Sequence, residues 1–298
     1  MSGYDTFVAR LVVLSARPAL ETNRRLEEAA RVLGHPTVTI DATRVVAWCG
    51  HRPRLLLDGT DVLVDPPDVV IARIGNWRPE SLLAVLEVAV SAGCSTPNPV
   101  DAIRRARDHW RTVMALADAG VPVPATVVGA DPERLADDAT GLGLPLVVKQ
   151  RRSRMGVGVI RCDTRDHLEA VLDSLWRVGD EVVVQRYLDT AGRSFRLMVA
   201  GGDVVAAARF EAGAGEWRSN GARGGTAVAH RASRIEADLA RRAVEVLGLG
   251  HAGVDLLPTV DGPVVLEVNP TPGFRRLEEA TGVDVASALV SHAVACRG

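Results

Sequence analysis

The sequence lacks several features that would assign it to a specialised class of protein. Its four cysteines, Cys49, Cys94, Cys162 and Cys296, are far apart and match no metal-binding or redox spacing, so we expect reduced thiols in a cytosolic protein. The 35 basic and 37 acidic residues nearly cancel, which argues against nucleic acid as a partner. All but one of the basic residues are arginines, a compositional bias that says little about function.

No segment has the pattern of a signal peptide or a transmembrane helix. The first twenty residues are interrupted by Asp5, Arg10 and Arg17, and the most apolar stretch, 82–94, is short and contains Glu87. We therefore expect a soluble, cytoplasmic protein with no membrane partner. At 298 residues, 47% of them hydrophobic, the chain can form two or three modules around a sizeable core.

Strand-like and helix-like patterns alternate through the first third of the chain, as expected of an α/β layer. They predict strands at 8–14, 37–41, 61–64 and 68–73, and helices at 21–33 and 79–92. Pro97-Asn98-Pro99 cannot continue a helix or a central strand, and marks a boundary. A helix over 100–120 follows, and from about residue 188 the pattern becomes antiparallel. The predicted modules are residues 1–98, 99–187 and 188–298.

The most informative stretch is 252–273, in which two apolar runs surround a turn-forming Asp-Gly pair. If the turn centres near Asp261, Asp255 pairs with Glu267, and Asn269 lies on the same face two residues further on. Two adjacent carboxylates repel each other, and a hard dication such as Mg²⁺ removes this conflict while keeping coordination positions for phosphate. The alternative is a solvated edge hairpin with scattered acidic residues, which the core-like flanking residues disfavour.

The motif Glu267-Val268-Asn269-Pro270, with Gly273 and the run 278–286, resembles the C-terminus of the RimK-like ATP-grasp ligases. Similar segments extend over most of the chain, at 71–75, 104–108, 146–149, 185–187, 216–225 and 252–257. That family adds glutamate to the C-terminus of a ribosomal protein, and its relatives couple amino acids to carrier proteins or cofactors. The resemblance implies an α/β and α+β architecture, the ATP-grasp fold, in which an N-terminal α/β domain precedes two α+β lobes that clamp ATP.

The resemblance also implies roles for individual residues. Asp255, Glu267 and Asn269 are expected to bind magnesium, with two ions expected and Mn²⁺ as a possible substitute, and Arg218 is the expected catalytic residue. The residues implied in ATP binding are Lys149, Gln185, Arg186, Tyr187, Leu188, Ser194, Arg218, Ser219, Asn220, His109, Gly156 and Gly158. The residues implied at the substrate are Arg73, Asn76, Arg223 and Gly224.

Several of these residues have a second, purely structural interpretation. A lysine that ends an apolar strand needs an anion or a route to solvent, so Lys149 suits a phosphate site but also a strand whose amine reaches water. Arg218 offers a planar fork of donors for phosphoryl oxygens, or is a surface arginine in a polar loop. Gly156 and Gly158 permit close approach of the backbone to phosphate, although a Gly-x-Gly motif often occurs by chance.

The chain departs from the family pattern at three places. His109 stands where the family usually carries a nucleotide-binding lysine, and Ser194 stands where an aspartate commonly binds the ribose. The phosphate-covering loop, 149–158, has gained three arginines, Arg151, Arg152 and Arg154. These charges either compensate for His109, attract an anionic substrate or form a solvated basic loop.

The implied reaction is the phosphorylation of a carboxylate by ATP, followed by attack of an amine on the acylphosphate to form an amide. The partners are an amino acid and a carboxylate carried by a free amino acid, a peptide or a carrier protein, and the sequence does not decide among them. Two alternatives are a nucleotide-binding regulatory protein that has lost turnover, favoured by His109 and Ser194, and a kinase that releases the acylphosphate. A homo-oligomer is expected from related enzymes, although no heptad or apolar stripe establishes one.

Overall fold

The computed structural model describes residues 8–75, 78–152, 158–213, 215–218 and 225–297, and these residues form four β-sheets with helices packed against them. The N-terminal elements are β1 (Leu11–Ser15), α1 (Glu21–Val32), β2 (Thr37–Asp41), β3 (Val45–Trp48), β4 (Arg54–Leu57), β5 (Thr60–Asp61), β6 (Val69–Arg73) and α2 (Pro79–Ser91).

Strands β2, β1 and β6 form a parallel sheet in that order. Every residue of β6 is buried, because α1 packs on one face of the sheet and α2 on the other. Ser15 at the end of β1 is level with Asp41 of β2 and with Arg73 of β6. The carboxyl ends of all three strands therefore meet at one edge, next to the start of α1.

The predicted strand over 61–64 is wrong. Only Thr60 and Asp61 are extended, because the Asp61 side chain accepts a hydrogen bond from the Leu63 N–H and turns the chain. No sequence pattern indicated the small antiparallel sheet of β3, β4 and β5, which packs against α2.

The second group of elements is α3 (Val100–Ala106), α4 (His109–Asp118), β7 (Thr126–Val127), α5 (Pro132–Thr140), β8 (Leu146–Gln150), β9 (Val159–Cys162), α6 (Arg165–Arg177) and β10 (Val182–Arg186). The single helix predicted over 100–120 is wrong, because the chain breaks at Arg107 and Asp108. The Asp108 side chain accepts hydrogen bonds from the N–H groups of Trp110 and Arg111, and so begins a new helix. Strands β7, β10, β8 and β9 form an antiparallel sheet that α5 and α6 cover.

The last group is β11 (Arg193–Ala200), β12 (Asp203–Glu211), β13 (Thr226–Ala229), α7 (Arg234–Val246), β14 (His251–Thr259), β15 (Gly262–Asn269), α8 (Arg275–Thr281) and α9 (Val285–Ala295). The strands form one antiparallel sheet in the order β13-β12-β11-β14-β15, and the pairing of β14 with β15 confirms the hairpin predicted within 252–273. Helix α7 begins with a capping box of Ser233 and Glu236 and packs on one face, while α8 and α9 pack on the other.

One hydrophobic core joins the N-terminal sheet to the C-terminal helices. Leu11 and Val13 of β1 belong to the same buried cluster as Phe274 and Val285. At the rim of this contact, Arg25 on α1 donates to carboxylates of the C-terminal helices at 3.2 Å. The N-terminal sheet edge is therefore held close to the end of the β14–β15 hairpin. Within the described parts of the chain, no helix is long and apolar enough to cross a membrane.

Candidate active site

Strands β14 and β15 bring two carboxylates opposite each other, as the sequence predicts. Asp255 pairs with Glu267, and Gly253 pairs with Asn269. The pairing arises differently from the prediction, because the turn consists of residues 260–261 and a register shift next to Asp255 moves Glu267 by one position. Since Glu267 and Asn269 are two residues apart on one strand, the two acids and the amide share one face of the sheet.

This face supplies hard oxygen donors. Among the described residues, no three His, Cys, Asp or Glu side chains form a cluster that could hold a metal ion. The candidate set is therefore two carboxylates and one amide, which are oxygen ligands of the kind that Mg²⁺ prefers. The Asn269 Oδ1 accepts a hydrogen bond from the Thr271 N–H at 3.0 Å, which orients the amide.

A cation that no sequence pattern indicated lies beside these carboxylates. Arg196 is the cross-strand partner of Asp255, and its Nε and Nη2 donate to the two Asp255 oxygens at 2.6 and 2.5 Å. The Asp255 carboxylate raises the pKa of Arg196. Because the pairing of β11 with β14 joins residues that are 59 positions apart, no local pattern could have identified this contact.

Lys149 lies on β8 and faces the charges of the β14–β15 hairpin. It is 9% exposed, and its Nζ donates to the Gln185 Oε1 at 2.6 Å, while the Gln185 Nε2 donates to the Thr126 Oγ1 at 2.9 Å. Burial lowers the pKa of Lys149 to about 8, although the charge of Glu267 opposes this effect. The amine is thus positioned by a buried amide, and no carboxylate among the described residues bonds to it, so an additional anion nearby would favour its charged form.

Tyr187, the residue after β10, contacts side chains from β9 and from the segment after β12. The N–H groups of Arg186 and Tyr187 donate to backbone carbonyls at 2.9 and 3.2 Å, so these donors are used within the protein. The Tyr187 ring meets the Trp217 ring edge-on at a centroid distance of 5.7 Å, and the Arg161 guanidinium lies 4.4 Å from the Tyr187 centroid. Leu188 is half-buried beside them.

Arg218 is held by a neighbouring carboxylate. Its Nε and Nη2 donate to the two Glu216 carboxylate oxygens at 3.0 and 3.1 Å, and its Nη1 donates to the Val159 carbonyl oxygen at 3.1 Å. These bonds from Arg218 lower the pKa of Glu216 to about 2. Since Val159 follows directly on the predicted phosphate-covering loop, 149–158, the guanidinium lies where that loop returns to the sheet.

The positive charges near His109 are partly neutralised. The His109 N–H donates to the Arg151 carbonyl oxygen at 2.9 Å, and the Arg151 Nε donates to the Asp108 Oδ1 at 2.9 Å. Burial opposes ionisation of Asp108, but hydrogen bonds from Arg151 and from the Arg111 N–H outweigh it and lower the pKa of Asp108. Arg151 is therefore fixed in the structure, whereas Arg152 keeps 59% of its side chain exposed.

The remaining predicted site residues are dispersed. Ser194 is buried on β11 opposite Phe210. Gly158 has φ +70°, a backbone conformation that favours glycine. Arg73 is buried at the carboxyl end of β6. The residues that lie outside the described ranges are Asn76, Gly156, Ser219, Asn220, Arg223 and Gly224.

Comparison with known proteins agrees with this architecture. Residues 106–293 match the RimK-like ATP-grasp domain, and residues 9–103 match the RimK PreATP-grasp domain. The chain is 38% identical over 290 residues to a Stenotrophomonas maltophilia protein named "Probable alpha-L-glutamate ligase", covering 95% of this chain and 97% of the relative.

Two solved structures share the fold over nearly the whole chain. The RimK domain protein ATP-grasp from Sphaerobacter thermophilus has a TM-score of 0.75 and 25% identity, covering 96% of this chain and all of that one. The ATP-grasp ligase PsnB, complexed with a phosphomimetic variant of a minimal precursor, Mg and ADP, has a TM-score of 0.71 and 24% identity, covering 98% of this chain and 99% of that one. On these matches and on the arrangement of its sheets, the chain belongs to the RimK-like family of ATP-grasp ligases.

Proposed function

We propose that this ATP-grasp carboxylate–amine ligase joins an amino acid to a second carboxylate through an acylphosphate. A carboxylate oxygen attacks the γ-phosphorus of ATP, and ADP leaves. The amine nitrogen then attacks the acyl carbon, loses a proton and displaces phosphate, leaving an amide. The observation that carries the proposal is the shared face of Asp255, Glu267 and Asn269, which lies within electrostatic reach of the buried Lys149.

In this proposal, Asp255, Glu267 and Asn269 would hold two Mg²⁺ ions, for which Mn²⁺ could substitute. These residues fit Mg²⁺ because all three supply oxygen ligands and because the pairing of Asp255 with Glu267 places two negative charges together. Arg196 bonds to Asp255 but not to Glu267 or Asn269, so the charge of Glu267 is not neutralised by this arginine. When bound, the metal ions offset the charge of the phosphate oxygens and orient the transferred group. Arg196 limits the repulsion between the two carboxylates before the metal binds.

Lys149 and the strand ends around it form the proposed nucleotide site. A phosphate beside the Lys149 amine would stabilise its charged form, and Gln185 already fixes the position of the amine. Because the N–H groups of Arg186 and Tyr187 are used within the protein, we assign their carbonyl oxygens to the adenine edge, and Leu188 to the adenine face. The proposal retains Ser194 at the ribose, and His109, Gly156, Gly158, Ser219 and Asn220 near the phosphates.

Arg218 is the proposed catalytic cation at the transferring phosphoryl group. Its guanidinium lies beside the end of the phosphate-covering loop, where Glu216 and the Val159 carbonyl hold it in one orientation. A phosphoryl group that gains negative charge in the transition state competes with Glu216 for the same N–H donors. Positioning and electrostatics therefore account for the proposed catalysis.

L-Glutamate is the first candidate for the amine substrate, because the relative from Stenotrophomonas maltophilia is named an alpha-L-glutamate ligase. A peptide is a candidate carrier of the carboxylate, since the structural neighbour PsnB was solved with a precursor peptide variant. A carrier protein or a free amino acid are the other candidates. We further propose a cytoplasmic location and the division into residues 1–98, 99–187 and 188–298.

The test measures ADP release with Mg²⁺ and ATP while amino acids are supplied singly and in pairs, and identifies the amide product by mass spectrometry. Glu267→Gln is expected to abolish both readouts. Glu279→Gln is the matched control, because Glu279 is 58% exposed on α8 and makes only a 3.6 Å ion pair. Release of ADP without an amide would identify a kinase, and nucleotide binding without any ADP release would identify a regulatory protein.

A further inference from the structure

A cavity of about 340 Å³ lies in the N-terminal part of the chain, between the parallel sheet and the small antiparallel sheet. Its floor is the face of the β2-β1-β6 sheet that points towards α2, and its other walls come from α2, from β3 and β4, and from residues 62–67. Arg10 and Pro36 line it at the amino ends of β1 and β2, whereas the carboxyl ends of these strands form the edge near the β14–β15 hairpin. None of the described candidate site residues lines this cavity, so it is separate from the candidate active site.

The cavity is present because the parallel sheet is incompletely covered on this face. Val38, Val12 and Val70 are level with one another on β2, β1 and β6, so their side chains form one row across the sheet. Val70 is 3% exposed, Val12 is half-buried and Val38 is 54% exposed. The covering elements therefore bury β6 and leave β1 and β2 open at this level. Parallel sheets are normally buried on both faces, so an apolar row that remains open beside a cavity indicates a further apolar group that completes the cover.

The polar side chains of the cavity wall already have partners. They are Arg10, Thr37 and Asp65 among the described residues. The Arg10 Nη2 donates to the Asp65 Oδ1 at 2.9 Å, its Nη1 donates to the other Asp65 oxygen, and the Thr37 Oγ1 donates to the His35 carbonyl oxygen at 3.1 Å. A charged ligand would lose hydration here and gain no partner of opposite charge, because Arg10 and Asp65 neutralise each other. The ligand that fits this wall is therefore uncharged.

The volume and the walls determine the size of the ligand. An apolar cavity of about 150 Å³ stays dry and binds benzene, so a cavity of about 340 Å³ accommodates about a dozen non-hydrogen atoms in proportion. The sheet, α2 and residues 62–67 bound the space on three sides. A small molecule can enter such a space, whereas the broad surface of another protein cannot fill it.

We propose that this cavity is a binding site for an uncharged, apolar small molecule, such as a bicyclic hydrocarbon or a medium-length alkyl chain. Buried aliphatic side chains on the sheet and on α2, among them Leu14, Val70 and Val85, supply the contact surface. The proposal goes beyond the ligase function and does not depend on it. Because the cavity and the candidate active site lie at opposite ends of the parallel strands, nucleotide and apolar ligand can be bound together.

The experiment uses naphthalene as the probe and 1-naphthoate as its charged counterpart. Naphthalene is expected to shift the ¹³C-methyl NMR signals of Val12, Leu14 and Val70 in a saturable way and to raise the melting temperature. 1-Naphthoate is expected to bind more weakly by about 10-fold or more. Glu267→Gln should bind naphthalene as the wild type does, so the ligase function and this proposal fail independently.

Two variants place the binding in the cavity. Val12→Phe fills the middle of the row, and Val38→Glu puts a charge at its exposed end, where the fold tolerates a polar side chain. Each is expected to lower the affinity for naphthalene by about 10-fold or more. Val46→Phe is the matched control, because Val46 is a 59% exposed valine on β3 that does not line the cavity, and it should bind naphthalene normally.

Three results would overturn the proposal. They are the absence of saturable shifts up to the solubility of naphthalene, equal affinity for 1-naphthoate, and unchanged affinity in both Val12→Phe and Val38→Glu. If naphthalene does not bind and Val38→Glu lowers the mass measured by light scattering, a second copy of the chain covers the row instead.

Discussion

Replacing Lys149 with methionine should stabilise the nucleotide-free protein at neutral pH and weaken nucleotide binding. Burial lowers the pKa of Lys149 from its ordinary value of 10.5 to about 8. The folded protein therefore binds this proton less tightly than the unfolded chain does. The resulting penalty is fully present below about pH 8, declines as the pH rises towards 10.5 and disappears above that value.

The magnitude follows from this difference in pKa, which corresponds to about 3 kcal/mol of unfolding free energy. Methionine also removes the 2.6 Å hydrogen bond to Gln185 and leaves that amide oxygen unsatisfied, at a cost of about 1–2 kcal/mol. Lys149→Met should therefore be more stable than the wild type by about 1–2 kcal/mol at pH 7. Near pH 10.5 only the lost hydrogen bond remains, so the order of stability should reverse.

Two measurements check this prediction. Urea unfolding of both proteins between pH 6.5 and 10 gives the difference in stability directly. Lys149 is the only lysine in the chain, so protein labelled with ¹³Cε-lysine gives a single side-chain NMR signal, whose titration reports this one pKa. Addition of ATP and Mg²⁺ should raise that pKa, because a phosphate beside the amine favours its charged form.

An ordinary lysine pKa in the free protein, with a stability difference that does not change with pH, would refute the reasoning. A pKa near 8 that ATP leaves unchanged would support the burial of Lys149 but remove it from the proposed nucleotide site. Arg234→Met is the matched control, because it also replaces a cation by methionine, and Arg234 is 95% exposed on α7 and makes only a 3.8 Å ion pair.

Three further substitutions test the site. Gly253→Ala should cost about 1–3 kcal/mol of unfolding free energy in urea, because its Cβ would lie 2.9 Å from the Pro272 Cβ. Arg196→Met should cost about 3–5 kcal/mol without metal, since it leaves the Asp255 carboxylate, which is only 16% exposed, without its ion-pair partner. Mg²⁺ should raise the melting temperature of this variant more than that of the wild type. Asp108→Asn should cost about 1–2 kcal/mol at pH 7, because Asp108 caps α4 and forms ion pairs with three arginines. The pKa of Asp108 is lowered on folding, so this difference should shrink as the pH falls below about 4.

Each of these has a clear contrary result. An alanine at position 253 without loss of stability would mean that Pro272 moves freely. If Mg²⁺ raises the melting temperatures of Arg196→Met and of the wild type equally, Arg196 does not influence metal binding by Asp255. A stability difference for Asp108→Asn that is as large at pH 3 as at pH 7 would show that the charge of Asp108 is unimportant.

Local patterns predicted the elements whose partners are close in sequence. The turn-forming Asp-Gly pair between two apolar runs predicted the β14–β15 hairpin, but the turn at residues 260–261 alone would place Asp255 opposite residue 266, and the register shift next to Asp255 brings Glu267 opposite it. The same kind of pattern failed over 100–120, where hydrophobic periodicity continues through Asp108 although its side chain caps a new helix. A single polar side chain that bonds to the backbone is a weak signal within an apolar pattern.

The sequence by itself therefore determined the type of many elements, the β14–β15 hairpin and the resemblance to the RimK-like ligases, because these depend on periodicity, turn residues and motif spacing. Only the tertiary structure decided which charges meet. Arg196 reaches Asp255 across 59 positions and Arg73 reaches Pro272 across 199, while Arg218 turns back to Glu216, two residues before it. Such partners are selected by the order of the strands and by the packing of one sheet on another. Strand order and packing depend on the burial of apolar surface over the whole chain rather than on any one segment.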